Sequence, residues 1–309
     1  ENLGQARAQL CERRQDCSRS GASSPKGPGP LRTPPPLKPG AKMALVTPAR
    51  HASRQVVEAA SAAVRSWGLD PVMHPDTNQA HGQFGGTDVQ RAAALNAAFA
   101  DPEVGAVWVL RGGYGCTRLL PHLDAQRFQD NPTWIVGFSD ATALHGWANQ
   151  AGVASLHAPV ASTLPSTDDN DVAALVEVLK TAEPTLDQLD RAVVGGNLSV
   201  LYAMLGTPHM PPLEGKWLLL EDVDEYLYHL DRMLVAFTQG RVWERVAGVM
   251  VGSFTDMRDN TVAHGQSVDN PFGMTAEEIL ASHLGPANCP VEWDVAAGHG
   301  ARNAPFILG

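Results

Sequence analysis

The sequence predicts an α/β protein with a doubly wound parallel-sheet domain in its N-terminal half and a smaller α/β domain in its C-terminal half. Short apolar runs rich in β-branched residues alternate with segments of helical periodicity, and the pattern loosens once near the middle. A length of 309 residues with 44% hydrophobic content suffices for two cores. Strands that alternate with helices favour right-handed crossovers, which build a parallel sheet with helices on both faces.

Residues 1–41 are predicted to form a disordered, basic tail. The segment holds seven prolines between positions 25 and 39, together with several arginines, and shows no amphipathic period. So little apolar surface cannot offset the conformational entropy that ordering would cost. The first domain is therefore expected to begin at residue 42.

The N-terminal domain is predicted over residues 42–165. Its helices are identified by apolar residues at three- and four-residue spacing, and its strands by short apolar runs that end in Gly, Pro or Ser. In order, we expect a strand at 43–46, a helix around 56–67, a strand near 71–74, a helix from Thr87 or Asp88 to Asp101, a strand at 104–110, a helix at 116–123 and a strand at 134–138.

A linker is predicted at residues 166–194, where the pattern is polar and loose, and a C-terminal domain at residues 195–309. The strand at 216–220 delivers Glu221 and Asp222 at its end, and a helix follows. The remaining expected elements are a strand at 246–251, a polar loop at 255–273, a helix at 274–284 and an apolar segment at 305–308.

The composition argues against several partners. A net charge of −10 without a cluster of Lys and Arg in the folded part disfavours nucleic acid. No apolar run approaches the roughly 18 residues that cross a bilayer, so no membrane partner is expected. Four scattered cysteines suit a reducing compartment, and the prediction is a cytoplasmic protein.

No metal and no cofactor are predicted. None of the 11 histidines lies in an H-E-x-x-H motif or in a cluster with metal-ligand spacing. The glycine-rich loop 111–115 follows a strand, but it lacks both G-x-G-x-x-G and Gly-Lys-Ser/Thr. Its glycine pair would let a backbone N–H approach a ligand closely, as in an oxyanion hole, and the alternative is a plain turn.

Ser139 is the candidate nucleophile. It ends the apolar run 134–138 and precedes a helical pattern, so it is expected on a strand-to-helix turn. Such a turn exposes the hydroxyl and aims N–H groups of the helix start at a developing oxyanion. The alternative is that Ser139 and Asp140 only cap the helix, because Ala141 stands where G-x-S-x-G has its second glycine.

Glu221 at a strand end and His299 between two glycines complete the parts of a hydrolytic triad with Ser139. The acid has alternatives nearby, namely Asp222, Asp224 and Glu225. His299 could instead be a structural imidazole. Cys116 is an alternative nucleophile, although a cysteine in this position is more often a small buried residue.

Seven short motifs follow one another between residues 36 and 299. They are residues 36–40 (P-L-K-P-G), 81–88 (H-G-Q-F-G-G-T-D), 111–115 (R-G-G-Y-G), 137–140 (G-F-S-D), 195–197 (G-G-N), 220–222 (L-E-D) with Tyr228 and Arg232, and 298–299 (G-H). Together they resemble the LD-carboxypeptidase family, which also includes the microcin-resistance immunity peptidases.

The resemblance implies a cytoplasmic serine peptidase, usually a homodimer, that trims muropeptides during cell-wall recycling. It implies a Ser-Glu-His triad of Ser139, Glu221 and His299. It also implies that the oxyanion donors are the backbone N–H groups of Asp140 and Gly113.

The expected function is a serine carboxypeptidase that hydrolyses an L,D-amide bond and releases the terminal D-amino acid of a muropeptide tetrapeptide. Arg111 and Asn197 are the predicted substrate contacts, and the alternative for Arg111 is an ion pair with Glu221 or Asp140 that braces the site. Two other functions stay open. One is a microcin-immunity-type hydrolase of peptidyl-nucleotide or acylated amino-acid substrates, and the other is a non-catalytic peptide-binding protein.

Overall fold

The computed structural model describes residues 31–188 and 191–309, and its ten strands form one sheet. The strands are β1 (Lys42–Val46), β2 (Asp70–Val72), β3 (Val104–Val109), β4 (Trp134–Gly137), β5 (Ser155–His157), β6 (Val193–Asn197), β7 (Trp217–Val223), β8 (Gly248–Thr255), β9 (Val291–Glu292) and β10 (Phe306–Leu308). Their order across the sheet is β2-β1-β3-β4-β5-β10-β6-β7-β8-β9. Every pair is parallel except β5 with β10, which confirms the predicted fold class.

Helices cover both faces of the sheet. They are α1 (Arg54–Ser66), α2 (Asp88–Ala100), α3 (Ala125–Asp130), α4 (Thr142–Gln150), α5 (Asp169–Thr181), α6 (Leu198–Met204), α7 (Leu227–Gln239) and α8 (Ala276–Leu284). Alternate side chains of β1 point to opposite faces, so Met43 and Leu45 pack in a different core from Ala44 and Val46. No helix in the described part of the chain is long and apolar enough to span a membrane.

Strand β10 joins the two halves of the molecule. Although it comes from the C-terminal half, it lies between β5 and β6, antiparallel to the first and parallel to the second. Asn149 at the end of α4 donates a side-chain hydrogen bond to the Leu308 carbonyl at 3.0 Å. The two predicted domains therefore share a continuous sheet, in which β1–β5 run in one direction and β6–β10 in the opposite direction.

Two segments differ from the sequence-based prediction. The helix expected at 116–123 is wrong, because the structure has two short 3-10 turns there, Cys116–Arg118 and Leu120–His122. Pro121 lacks an N–H and disfavours a continuous α-helix. The segment expected to link the domains contains α5, whose Leu175 is fully buried. Because both ends of α5 are polar, its short apolar stripe was not recognised as a helix in the sequence.

The predicted tail ends earlier than residue 41. Leu37 is only 6% exposed, and its N–H donates to the Leu179 carbonyl at 2.7 Å. The Trp134 indole N–H donates to the Pro35 carbonyl at 3.1 Å. Prolines restrict this stretch before folding, so fixing it costs less entropy than for an ordinary chain. The rest of the predicted tail, residues 1–30, lies outside the described residues.

Leu37→Ala should lower the free energy of unfolding by about 2 to 4 kcal/mol, because it leaves a cavity in a packed core. The matched control is Leu186→Ala, since Leu186 is 85% exposed and its truncation should change stability by less than about 0.5 kcal/mol. Urea unfolding followed by circular dichroism measures both. Equal effects of the two substitutions would show that residues 31–41 do not pack as described.

Candidate active site

Ser139 lies on a strained turn between β4 and α4. Its φ is +61°, in the left-handed region that residues other than glycine rarely adopt. A 3-10 turn, Ser139–Ala141, connects the strand to the helix, so the predicted strand-to-helix turn is present. Neither Ser139 nor Asp140 caps the helix through its side chain. The helix-cap alternative is therefore wrong, and the geometry matches a partly exposed nucleophile on a tight turn.

The glycine loop lies against this turn. A Cβ placed on Gly112 would be 3.2 Å from Ser139 Oγ, so the backbone of Gly112 touches the serine side chain. Gly113 has a φ of +113°, and a Cβ there would collide with Arg50 at 2.6 Å. The amides of Gly113 and Asp140 donate to no backbone acceptor within residues 31–188 and 191–309. Both predicted oxyanion donors thus stay available beside Ser139.

His299 and Glu221 are in contact. Nδ1 of His299 lies 2.7 Å from Oε2 of Glu221, which is completely buried at the end of β7. Gly298 is required at this crossing, because a Cβ there would lie 2.8 Å from the same carboxylate oxygen. The His299 ring also packs on Phe138, with 4.6 Å between ring centroids. The imidazole therefore sits beside the residue that precedes Ser139.

The other acids near Glu221 have other partners. Asp222 accepts from the Asn197 carboxamide at 2.8 Å and from the Ser199 amide at 2.9 Å. Asp224 pairs with Arg258, and Glu225 contacts His229 at 2.6 Å. Among the carboxylates of the described residues, only that of Glu221 is paired with the His299 imidazole. The geometry thus selects Glu221 from the four carboxylates that the sequence left open.

Burial and charge act in opposite directions on His299. Burial lowers the pKa of its imidazole, but the hydrogen bond that it donates to Glu221 and the charges of Glu221, Asp222 and Asp256 together outweigh burial, so the pKa lies above its usual value. Burial, helped by the charge of Glu221, raises the pKa of Asp222 to about 7 against the opposing hydrogen bonds. The Nδ1 contact leaves Nε2 of His299 as the nitrogen that can exchange a proton with a nucleophile.

The loop that carries His299 is fixed by residues that sequence reasoning missed. The Gly300 amide donates to Ser253 Oγ at 2.8 Å. The Asn303 amide donates at 2.8 Å to Asp171, a buried residue of α5 that also forms a bidentate ion pair with Arg302. These partners lie far away in sequence, so no local signal points to them.

Cys116 is not placed as a nucleophile. It is fully buried, and burial raises the pKa of its thiol well above its usual value, which disfavours the reactive thiolate. Its backbone N–H donates to the Asp140 carboxylate at 2.8 Å. Burial raises the pKa of Asp140 as well, while the bonds from Cys116 and the charges of Arg91 and Arg50 oppose this shift.

The two predicted substrate contacts have different surroundings. Arg111 is exposed, its Nη1 lies 3.4 Å from the His51 carbonyl, and it pairs with no carboxylate in the described part of the chain. The predicted alternative, an ion pair with Glu221 or Asp140, is therefore wrong. Asn197 is only 4% exposed, and its carboxamide caps α6 and binds Asp222. Its main observed role is structural, and a substrate contact through its second N–H stays a prediction.

Two further features of the site were not predicted. Arg50 follows β1 at the same sheet edge, and its side chain covers Gly113. A cleft opens beside His299 and is lined by Phe138, Thr163, Ser166, Thr167 and Asn303. The hydroxyl residues of this cleft lie on the chain segment after β5, where the sequence shows only a polar stretch.

Two family models match the chain. The LD-carboxypeptidase N-terminal domain matches residues 43–158, and the LD-carboxypeptidase C-terminal domain matches residues 192–309. The murein tetrapeptide carboxypeptidase of Pseudomonas aeruginosa is 31% identical, over 87% of this chain and 91% of that protein. A Streptomyces coelicolor protein provisionally named a carboxypeptidase is 35% identical, over 87% of this chain and 89% of that protein.

Solved structures show the same fold. A muramoyltetrapeptide carboxypeptidase from Oxalobacter formigenes superposes with a TM-score of 0.74 at 23% identity, over 87% of this chain and 92% of that one. The microcin C7 self-immunity protein superposes with a TM-score of 0.75 at 20% identity, over 90% and 93%.

Glu221→Gln should lower the pKa of His299, because the carboxylate supplies the hydrogen bond and charge that outweigh burial. Titration of the histidine ring protons by NMR measures the shift. The matched control is Glu225→Gln, which removes an equally negative side chain that contacts His229 instead. An unchanged His299 pKa in Glu221→Gln would contradict the contact described here.

Proposed function

The chain belongs to the LD-carboxypeptidase family of peptidases, and we propose that it is a serine-type enzyme that cleaves an L,D-amide bond. Its substrate in this proposal is a muropeptide tetrapeptide, from which it releases the terminal D-amino acid during cell-wall recycling. The observation that carries the proposal is the buried Glu221–His299 contact beside the strained turn of Ser139. A cytoplasmic location, a homodimer and independence from cofactors are parts of the same proposal.

In the proposed reaction, Ser139 Oγ attacks the carbonyl carbon of the L-residue while Nε2 of His299 takes the serine proton. Glu221 holds Nδ1–H and so fixes the tautomer. The imidazolium then gives its proton to the leaving amine of the D-residue, and water hydrolyses the acyl-enzyme by the same steps in reverse order. Since His299 accepts a proton only when neutral, its raised pKa moves the working range toward more alkaline pH.

The oxyanion of the tetrahedral intermediate would lie between the amides of Gly113 and Asp140. The close contact of Gly112 with Ser139 supports this placement, because it puts the glycine loop within reach of the attacked carbonyl. One such donor is worth about 3 kcal/mol of transition-state stabilisation in other enzymes.

A carboxypeptidase must bind a free terminal carboxylate, and a carboxylate that leaves water needs a cation or several N–H donors. Arg111 and Arg50 flank the glycine loop on the side of the sheet edge where Ser139 lies. Arg111 is exposed and has no carboxylate partner in the described residues, so its guanidinium can donate two parallel hydrogen bonds to a substrate carboxylate. We assign the terminal carboxylate to Arg111.

A second candidate function is hydrolysis of a peptidyl-nucleotide, as one structural neighbour is a microcin C7 self-immunity protein. The observation that favours it is a pair of aromatic side chains soon after Glu221. The rings of Tyr226 and Tyr228 lie 5.5 Å apart beside a groove lined by Asn260, Gln266 and Asn270. Two neighbouring aromatic rings with carboxamides suit a nucleobase as well as a sugar.

The purified protein should release D-alanine from a diaminopimelate-containing tetrapeptide, as measured by mass spectrometry. Ser139→Ala should remove this activity at an unchanged melting temperature, because the lost hydroxyl is small and not part of the core. A peptidyl-nucleotide amide tested in parallel decides between the two candidate functions. If Ser139→Ala keeps wild-type turnover, or if a fluorophosphonate fails to label the wild type, the serine mechanism is wrong.

Arg111→Ala should hydrolyse a tetrapeptide and its C-terminal amide at similar, low rates, whereas the wild type should strongly prefer the free acid. The comparison of kcat/KM for the two peptides measures this preference. Arg65→Ala is the matched control, because Arg65 is an exposed arginine on α1. If Arg111→Ala keeps the full preference for the acid, the carboxylate is bound elsewhere, with Arg50 as the next candidate.

A further inference from the structure

One peptide group connects a buried cation to a buried anion beside the catalytic turn. The Gly115 carbonyl accepts a hydrogen bond from Nη1 of Arg91 at 3.1 Å. The N–H of the same peptide group, which belongs to Cys116, donates to Asp140 Oδ2 at 2.8 Å. Arg91 is 2% exposed and Asp140 is 3% exposed, so both bonds are shielded from water.

The guanidinium of Arg91 makes several further contacts close to this peptide group. Besides Gly115 it binds the carbonyls of Pro48 and Gly86, and it pairs with Asp88. The ring of Phe84 stacks on its other side, with 4.7 Å from Cζ to the ring centroid. A planar fork with five N–H groups can hold several carbonyls at once, which a lysine ammonium cannot do with the same geometry.

The backbone at Gly115 is packed closely against Arg91. Gly115 has a φ of +142°, and a Cβ there would lie 2.5 Å from Nη1 of Arg91. The loop that ends at this peptide carries Gly112, which touches Ser139, and Gly113, whose amide is a proposed oxyanion donor. Asp140 supplies the other proposed donor from its own backbone. The distance between the two donors therefore depends on the Gly115–Cys116 peptide group.

We propose that Arg91 is a positioning residue that holds the glycine loop 111–115 against Ser139 through the Gly115–Cys116 peptide group and the Asp140 carboxylate. This inference rests on the proposed serine mechanism. Arg91 touches no substrate atom in this role. Its effect belongs to the transition state, because misplaced oxyanion donors weaken the bonds that form only as charge develops on the carbonyl oxygen.

Two substitutions test the inference. Arg91→Lys keeps the charge and removes the fork. Gly115→Ala keeps the arginine, but its added Cβ, 2.5 Å from Nη1, forces the guanidinium and the peptide group apart. Each should lower kcat by about 100-fold with KM within about threefold, since a small misplacement of the site costs about this much. Each should also weaken binding of a peptide boronate, which mimics the tetrahedral intermediate, by a similar factor.

Gly68→Ala is the matched control for backbone strain. Gly68 has a φ of +82°, no atom lies within 4 Å of its added Cβ, and it follows α1 away from the site. This variant should lose stability like Gly115→Ala but keep kcat and boronate affinity. Melting temperatures will test whether each variant is folded at the assay temperature. If Arg91→Lys does not fold, the test rests on Gly115→Ala.

The inference is overturned if Gly115→Ala keeps kcat and boronate affinity within threefold of the wild type, or if only KM changes. A wild type that does not cleave the tetrapeptide contradicts the proposed substrate and not the positioning role. In that case the rate of fluorophosphonate labelling replaces kcat, because labelling needs the activated serine and the oxyanion donors but no peptide substrate. A wild type that is not labelled either overturns both proposals.

Discussion

The insertion of β10 between β5 and β6 is the constraint on which the candidate site depends. Ser139 follows a strand of the N-terminal half, whereas Glu221 and His299 come from the C-terminal half. Because β10 pairs with both neighbours, the two halves form one sheet, although the strands of the C-terminal half run opposite to those of the N-terminal half. The candidate site forms where the halves touch: the Asn197 backbone amide donates to Thr142 Oγ1 at 2.9 Å, and the His299 ring packs on Phe138.

The side chains of Glu221 and Asp222, which are neighbours on β7, contact different parts of the candidate site. Consecutive residues point to opposite faces, so Glu221 reaches His299 while Asp222 reaches Asn197 and the start of α6. Two neighbouring carboxyl groups are thus buried without sharing a partner. The nearby negative charges favour a protonated His299, which is the form that a general base must reach during the proposed reaction.

The sequence could predict the features that depend on local pattern. The turn at Ser139, the strand before Glu221 and the glycines around His299 are visible in a few neighbouring residues, and the structure brings all three near one another. The antiparallel place of β10, the ordered segment around Leu37 and the contact between Arg91 and Gly115 were not predictable. Each of them joins residues far apart in sequence. The contact of Arg91 is also made to a backbone carbonyl, and such a contact produces no periodic pattern in the sequence.

The position of β10 also has a consequence for biosynthesis. Both strands that it joins leave the ribosome earlier, and at about 5–20 residues per second the N-terminal half has several seconds to fold before β10 is made. During this time β5 presents an unpaired edge to solvent or to a chaperone. The imidazole of His299 also emerges in this last stretch of the described chain. A nascent chain therefore carries the proposed nucleophile without its proposed base, and the proposed mechanism can operate only after β10 has closed the sheet.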